Sequence, residues 1–198
     1  MLKRVKNFFA RERGLSQAQM ATLGQLPPDD RLAELGIILH DLCVKNAARF
    51  VEEEHQRADS PFRDLPESDL FHEMLVMSFW VFEWLSKGKH QGLMDLVHRQ
   101  YSTSFVWGRE SSHEELTNSM REKFRTYDEA WDDYSGHQDV FARQAVGIIF
   151  GGRRVAPSSQ AAFWLISHAD RTMKGFAEVK RSVDRLLEDI APFSGKDP

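Results

Sequence analysis

Cysteine occurs once, at Cys43, proline is missing from the whole stretch between Pro66 and Pro157, and no apolar run is long enough to cross a bilayer. A single thiol forms no internal disulfide, so a disulfide scaffold is excluded and a reducing, cytoplasmic setting is expected. In LHDLCVKN the thiol stands on a helical pattern among Leu39, Leu42 and Ala47, which reads as a small buried hydrophobe. The absence of proline over residues 67–156 removes the strongest helix breaker, leaving glycines as the punctuation of a run of helices. No alternating segment of β type competes with that reading.

The most apolar stretch, LFHEMLVMSFWVFEWL at residues 70–85, is interrupted by Glu73 and Glu83. A spanning helix needs about 20 predominantly apolar residues and tolerates a central carboxylate poorly. Residues 70–85 therefore read as a helix buried in a protein core. The start of the chain is followed by ARERGLSQAQ and not by an apolar stretch with a cleavage site, so no secretory leader is expected. Glu12 and the lack of serine in the first thirteen residues also argue against a transit peptide.

Several catalytic signatures are missing as well. There is no G-x-G-x-x-G, no G-x-x-x-x-G-K-[ST] and no G-x-S-x-G, so neither phosphate-loop chemistry nor a nucleophile elbow is read from the chain. In FGGRRVAPSSQ, residues 150–160, the glycines and arginines are expected to form a plain helix end and turn.

What the chain does contain is helical periodicity. At 198 residues, 41% apolar and 28% charged, it is sized for one folded domain. Leu32, Leu35, Leu39, Leu42 and Phe50 share one side of a helix of some 28 residues that starts at the acidic Asp29 and Asp30. Leu116, Met120, Phe124, Tyr127, Trp131 and Tyr134 mark another, between a Ser112 to Glu115 capping box and Gly136. Near the end, Ala162, Ala169, Phe176, Val183 and Ile190 recur every seven residues, with Ile166, Met173, Lys180 and Leu187 four positions on. Adding 67–86, 89–106 and 137–150 gives an all-α fold, a single-domain antiparallel bundle of five or six principal helices. Ser16 and Gln19 form a further capping box, so residues 15–198 are read as the bundle and residues 1–14 as a separate basic amphipathic helix.

That opening, MLKRVKNFFARERG, is the main compositional anomaly. Its first thirteen residues carry five basic and one acidic side chain, formally +4, whereas the other 185 residues carry 21 basic and 29 acidic, formally −8. Lys3, Arg4, Lys6 and Arg11, interleaved with Phe8 and Phe9, point to contact with a protein partner or peripherally with an anionic membrane. RGLSQAQMA, residues 13–21, resembles the opening of a helix-turn-helix of the phage-repressor type. The resemblance ends at Pro27, Pro28, Asp29 and Asp30, where a reading helix would need basic residues, and no nucleic-acid partner is expected.

Two further constellations bear on chemistry. Glu52/His55 and Asp69/His72 have the three-residue spacing that puts an oxygen and a nitrogen ligand on one helix face, and folding residues 30–58 against 67–86 brings both pairs to similar levels. They form a candidate metal site, although VEEEHQRAD itself reads as a solvated helix end. His72, Glu73, Met74, Met77 and Trp80 form a candidate ligand pocket in which Glu73 is the polar anchor. No cofactor is predicted, with a metal ion as the alternative. The expected function is a non-enzymatic, cytoplasmic adaptor that docks a partner through its basic opening or acidic body. Self-association through the aromatic helix or the last heptad stripe is expected. The alternative is a small-molecule- or metal-binding bundle, an enzyme among the options, with its site near the residue 52–77 helices.

Overall fold

The computed structural model describes residues 15–60, 62–86, 90–104, 113–132, 138–150 and 161–193. Among them all regular structure is helical: α1 (Gln17–Gln25), α2 (Pro28–Gln56), α3 (Glu67–Ser86), α4 (Gln91–Ser104), α5 (His113–Asp132), α6 (Gln138–Ile149) and α7 (Ala161–Ile190), followed by a 3₁₀ turn at Ala191–Phe193. The basic opening, the Ser112 cap, Gly136, Tyr134 and the 151–160 loop lie outside the described residues. Among the described residues no helix is long and apolar enough to cross a membrane.

Local chemistry sets the helix starts. The Ser16 side chain accepts from the Gln19 N–H at 3.2 Å while Gln19 Oε1 accepts from the Ser16 N–H at 2.9 Å, the reciprocal capping box. α2 begins with Pro28 at its first position and Asp29 and Asp30 in its first turn, where the missing N–H and the negative charges suit the helix N-terminus. The Arg31 guanidinium then closes the α1 to α2 connection, donating to the carbonyls of Leu23 and Leu26 at 2.8 Å each.

α3 is the central helix. Every side chain from Met74 to Phe82 is buried, and it touches α2, α4, α5, α6 and α7. A helix apolar on all sides must be surrounded, because each large side chain left in water forgoes about 1.5–3 kcal/mol of burial. Trp80 is surrounded by rings, stacking on Tyr127 at 5.1 Å and Phe141 at 5.6 Å, with Phe176 at 6.1 Å. From the heptad stripe on α7, Phe176, Val183 and Ile190 are buried in this core, and Met173 and Leu187 pack partly buried against it.

Contact pairs give the helix directions. His40 stacks on Phe79 and His55 reaches Leu65, so α3 runs against α2. Arg49 pairs with Glu178 and Glu54 with Arg171, so α7 also runs against α2. α5 follows α3 in the same sense, with Lys123 beside Glu73, Asp128 on Trp80 and Trp131 on Trp84.

Candidate functional site

Two regions gather the residues that the sequence singles out. The first lies where α3, α4 and α5 meet. His72, Glu73 and Met74 are consecutive, and successive helical positions diverge by about 100°, so they face three different neighbours. His72 Nδ1 lies 2.7 Å from the Tyr101 hydroxyl on α4. Glu73 is ion-paired with Lys123 on α5. Met74 turns inward with Met77 and Trp80, and all three are buried within the aromatic core. These five side chains thus divide between a helix-bridging polar cluster and close-packed interior.

The electrostatics of that cluster follow from burial. Desolvation, reinforced by the negative charge of Glu73, pushes the Tyr101 phenol up to about 12. The same two causes raise Tyr127 well above the usual tyrosine value. Tyr127 is fully buried, and its hydroxyl has no hydrogen-bond partner among the described residues. Both phenols are held neutral, able to donate and unable to serve as anionic nucleophiles at ordinary pH. His98 is buried and stands edge-on to Phe124 at 5.9 Å.

The second region is an open groove of about 660 Å³ between the last turns of α2 and the first turn of α3. Ala48, Val51 and Phe71 give it an apolar floor, Glu52 and Glu67 a carboxylate rim, and Gln56 and Ser68 its remaining polar edge. His55 closes one wall: Nδ1 faces the Val51 carbonyl at 3.1 Å and Nε2 the Leu65 carbonyl at 3.2 Å, which straps the α2 to α3 connection onto the helix. The connection is fixed from its other side too. The Ser60 hydroxyl donates to Glu54 at 2.6 Å and accepts from the Phe62 N–H at 3.1 Å, while Arg171 reaches Glu54 at 3.4 Å and Asp59 at 3.6 Å. The groove is therefore preformed.

Of the candidate metal ligands, Glu52 and His55 share this groove, whereas His72 belongs to the Tyr101 contact and Asp69 lies in the first turn of α3. Among the described residues no group of three or more His, Cys, Asp or Glu side chains comes together to hold a metal ion. One correction concerns VEEEHQRAD. Glu54 in this supposedly solvated end is only 5% exposed, because position 54 continues the inward stripe of Cys43, Ala47 and Phe50 and meets Arg171. Cys43 lies where its apolar neighbours place it, with burial pushing the thiol well up from its ordinary value.

Sequence reasoning missed Lys123 as the partner of Glu73 and Tyr101 as the partner of His72. Lys123 precedes Phe124 on an otherwise ordinary amphipathic helix, and nothing local distinguishes it from a solvated lysine. A scan of family models, a search of curated proteins and a search of solved structures each give no match to the chain.

Proposed function

We propose that the protein is a non-enzymatic helical interaction module, acting in the cytoplasm, whose partner contacts are electrostatic. The observation that carries this reading is where the apolar side chains go: among the described residues only Leu32 and Ile37, 39% and 46% exposed, are large hydrophobics at the surface. With so little large apolar surface exposed among the described residues, charge is the main means of recognition. The chain's charge is strongly divided, with Lys3, Arg4, Lys6 and Arg11 in a +4 segment beside Phe8 and Phe9, and −8 on the remainder.

The test is in-extract cross-linking of the full chain and of a Lys3→Glu/Lys6→Glu variant at low and high ionic strength. Specific adducts should form with the unaltered chain, fade with salt and be absent for the variant. Identical adduct patterns for both chains would sink the reading.

A second reading, a small-molecule-binding bundle, draws on the Tyr127 hydroxyl, a buried donor without a hydrogen-bond partner among the described residues, whose phenol feels the charge of Glu73. Native and denaturing mass spectra of the protein from its own host separate the two. A discrete bound mass lost on denaturation, and absent in Tyr127→Phe, would favour the second reading.

A further inference from the structure

We infer that the groove between α2 and α3 receives residues 1–14 of a second copy of this chain, so that two molecules exchange their basic openings. The inference rests on the electrostatic reading above and names the surface and the occupant.

Complementarity comes first. The groove floor of Val51 and Phe71 takes an apolar stripe, and its Glu52 and Glu67 rim takes flanking cations. The opening of the chain supplies both, with Leu2, Val5, Phe8 and Phe9 set between Lys3, Arg4, Lys6 and Arg11. Glu52 and Glu67 are exposed, and Phe71 is only partly buried, so the groove is open to an incoming segment.

Reach then decides between the chain's own opening and a partner's. The Leu15 N–H donates to Asp189 at 2.5 Å, which fixes the point from which residues 1–14 depart. α7 runs against α2, and the Arg49–Glu178 and Glu54–Arg171 pairs both put Asp189 level with about residue 37 of α2. Glu52 and His55 stand about 22–27 Å further along, at 1.5 Å per residue. Phe8 and Phe9 precede Leu15 by seven and six residues, which span about 10 Å as helix and at most about 25 Å fully extended. For Phe8 and Phe9 full extension is nearly used up by the axial distance alone, with nothing left for passing around the bundle, and it gives up the helical face that sets Leu2 and Val5 beside them. A second molecule meets no such limit. The exchange is reciprocal, each copy giving a segment and accepting one, which closes a two-fold dimer without leaving a free docking site.

Sedimentation velocity tests this with four full-length samples: the unaltered chain, Glu52→Lys/Glu67→Lys, Lys3→Glu/Lys6→Glu, and an equimolar mixture of the two variants. All four substituted acids and bases are chosen for charge alone, and circular dichroism melts confirm that the variants remain folded. The expected result is a salt-sensitive monomer–dimer equilibrium in the unaltered chain, weakened roughly tenfold or more in each variant and regained in the mixture, where each reversed groove meets its complementary reversed segment. A chain that stays monomeric at every concentration overturns the inference. So does a dimer that Glu52→Lys/Glu67→Lys leaves untouched. In that last case, loss of the cross-linked adducts in Lys3→Glu/Lys6→Glu would still uphold the electrostatic reading, whereas unchanged adducts would remove both.

Discussion

Arg171 on α7 lies 3.4 Å from the Glu54 carboxylate on α2, with the two side chains 12% and 6% exposed and 117 positions apart in sequence. The pair clamps α7 to the end of α2, beside the loop that walls the groove. Such a pair is costly to break from one side, since the remaining charge stays buried. Arg171→Met should therefore lose about 3 kcal/mol of stability, and Arg171→Met with Glu54→Gln should lose clearly less. Urea unfolding of these two variants, of Glu54→Gln alone and of the unaltered chain closes the cycle. A loss under about 1 kcal/mol for the single variant would mean that water already solvates Glu54.

Among the described glycines the tightest surroundings are on α7. A Cβ at Gly175 would lie 2.8 and 2.9 Å from the Phe50 ring and 3.1 Å from the Met74 methyl, whereas one at Gly147 on α6 meets nothing within 4 Å. An aromatic ring held by Phe62 at 5.6 Å has little freedom to retreat. Gly175→Ala should accordingly destabilise by about 1–3 kcal/mol through overpacking. Gly147→Ala, which only lowers the entropy of the unfolded chain and improves helix propensity, should stabilise by about 0.5 kcal/mol. Thermal melts that move both variants in the same direction would contradict the packing described for α7.

Trp80 anchors the aromatic core with its ring and the surface with its indole N–H, which donates to Asp128 at 2.7 Å. Hydrogen bonds to charged groups contribute about 1.5–3 kcal/mol when dry, but Asp128 is exposed, so about 1 kcal/mol is expected for Asp128→Ala. The Trp80→Phe/Asp128→Ala cycle should show coupling of the same size, read by denaturant titration together with the near-ultraviolet dichroism of the indole. Strict additivity would assign all of the contribution of Trp80 to packing.

The periodic helices were legible in the sequence because their signal is long: about 20 to 30 residues of one repeating stripe, bounded by proline or a capping box, leave little choice of state. Two local errors show where that logic stops. Leu32 continues the Leu35 and Leu39 stripe, yet it stands against Gly92 at the start of α4, and a neighbour without a side chain leaves it 39% exposed. Glu54 occurs in a run of acids that reads as solvated, and only pairing with a helix more than a hundred residues away draws it inside. The candidate sites suffer the same limit. Periodicity assigns Glu73 to α3 and Lys123 to α5, but their meeting depends on α3 and α5 running side by side in the same sense, which no local pattern encodes.

The buried phenols and thiol make a last expectation, in the alkaline range. Burial raises Cys43, Tyr101 and Tyr127, and for the two tyrosines the charge of Glu73 adds to it. Each is an acid whose folded form holds its proton more tightly than the unfolded chain does. The stability it contributes is complete below the unfolded values, about 8.5 for the thiol and 10 for the phenols, and drains away as pH rises toward the folded values, about 12 for Tyr101. Unfolding free energy should thus decline from about pH 9 to 12, the thiol acting first. Tyr127→Phe should flatten the upper part of that decline. It should also raise stability at neutral pH by about 1 kcal/mol, because the hydroxyl it removes is buried without a partner among the described residues. Cys43 should resist thiol reagents in the folded protein and react only at the rate of unfolding. Urea titrations at steps of one pH unit, with tyrosinate absorbance followed in parallel, check all three. A stability profile flat to pH 11, or a Tyr127→Phe variant less stable than the unaltered chain at pH 7, would show that the phenol has a partner that the geometry does not supply.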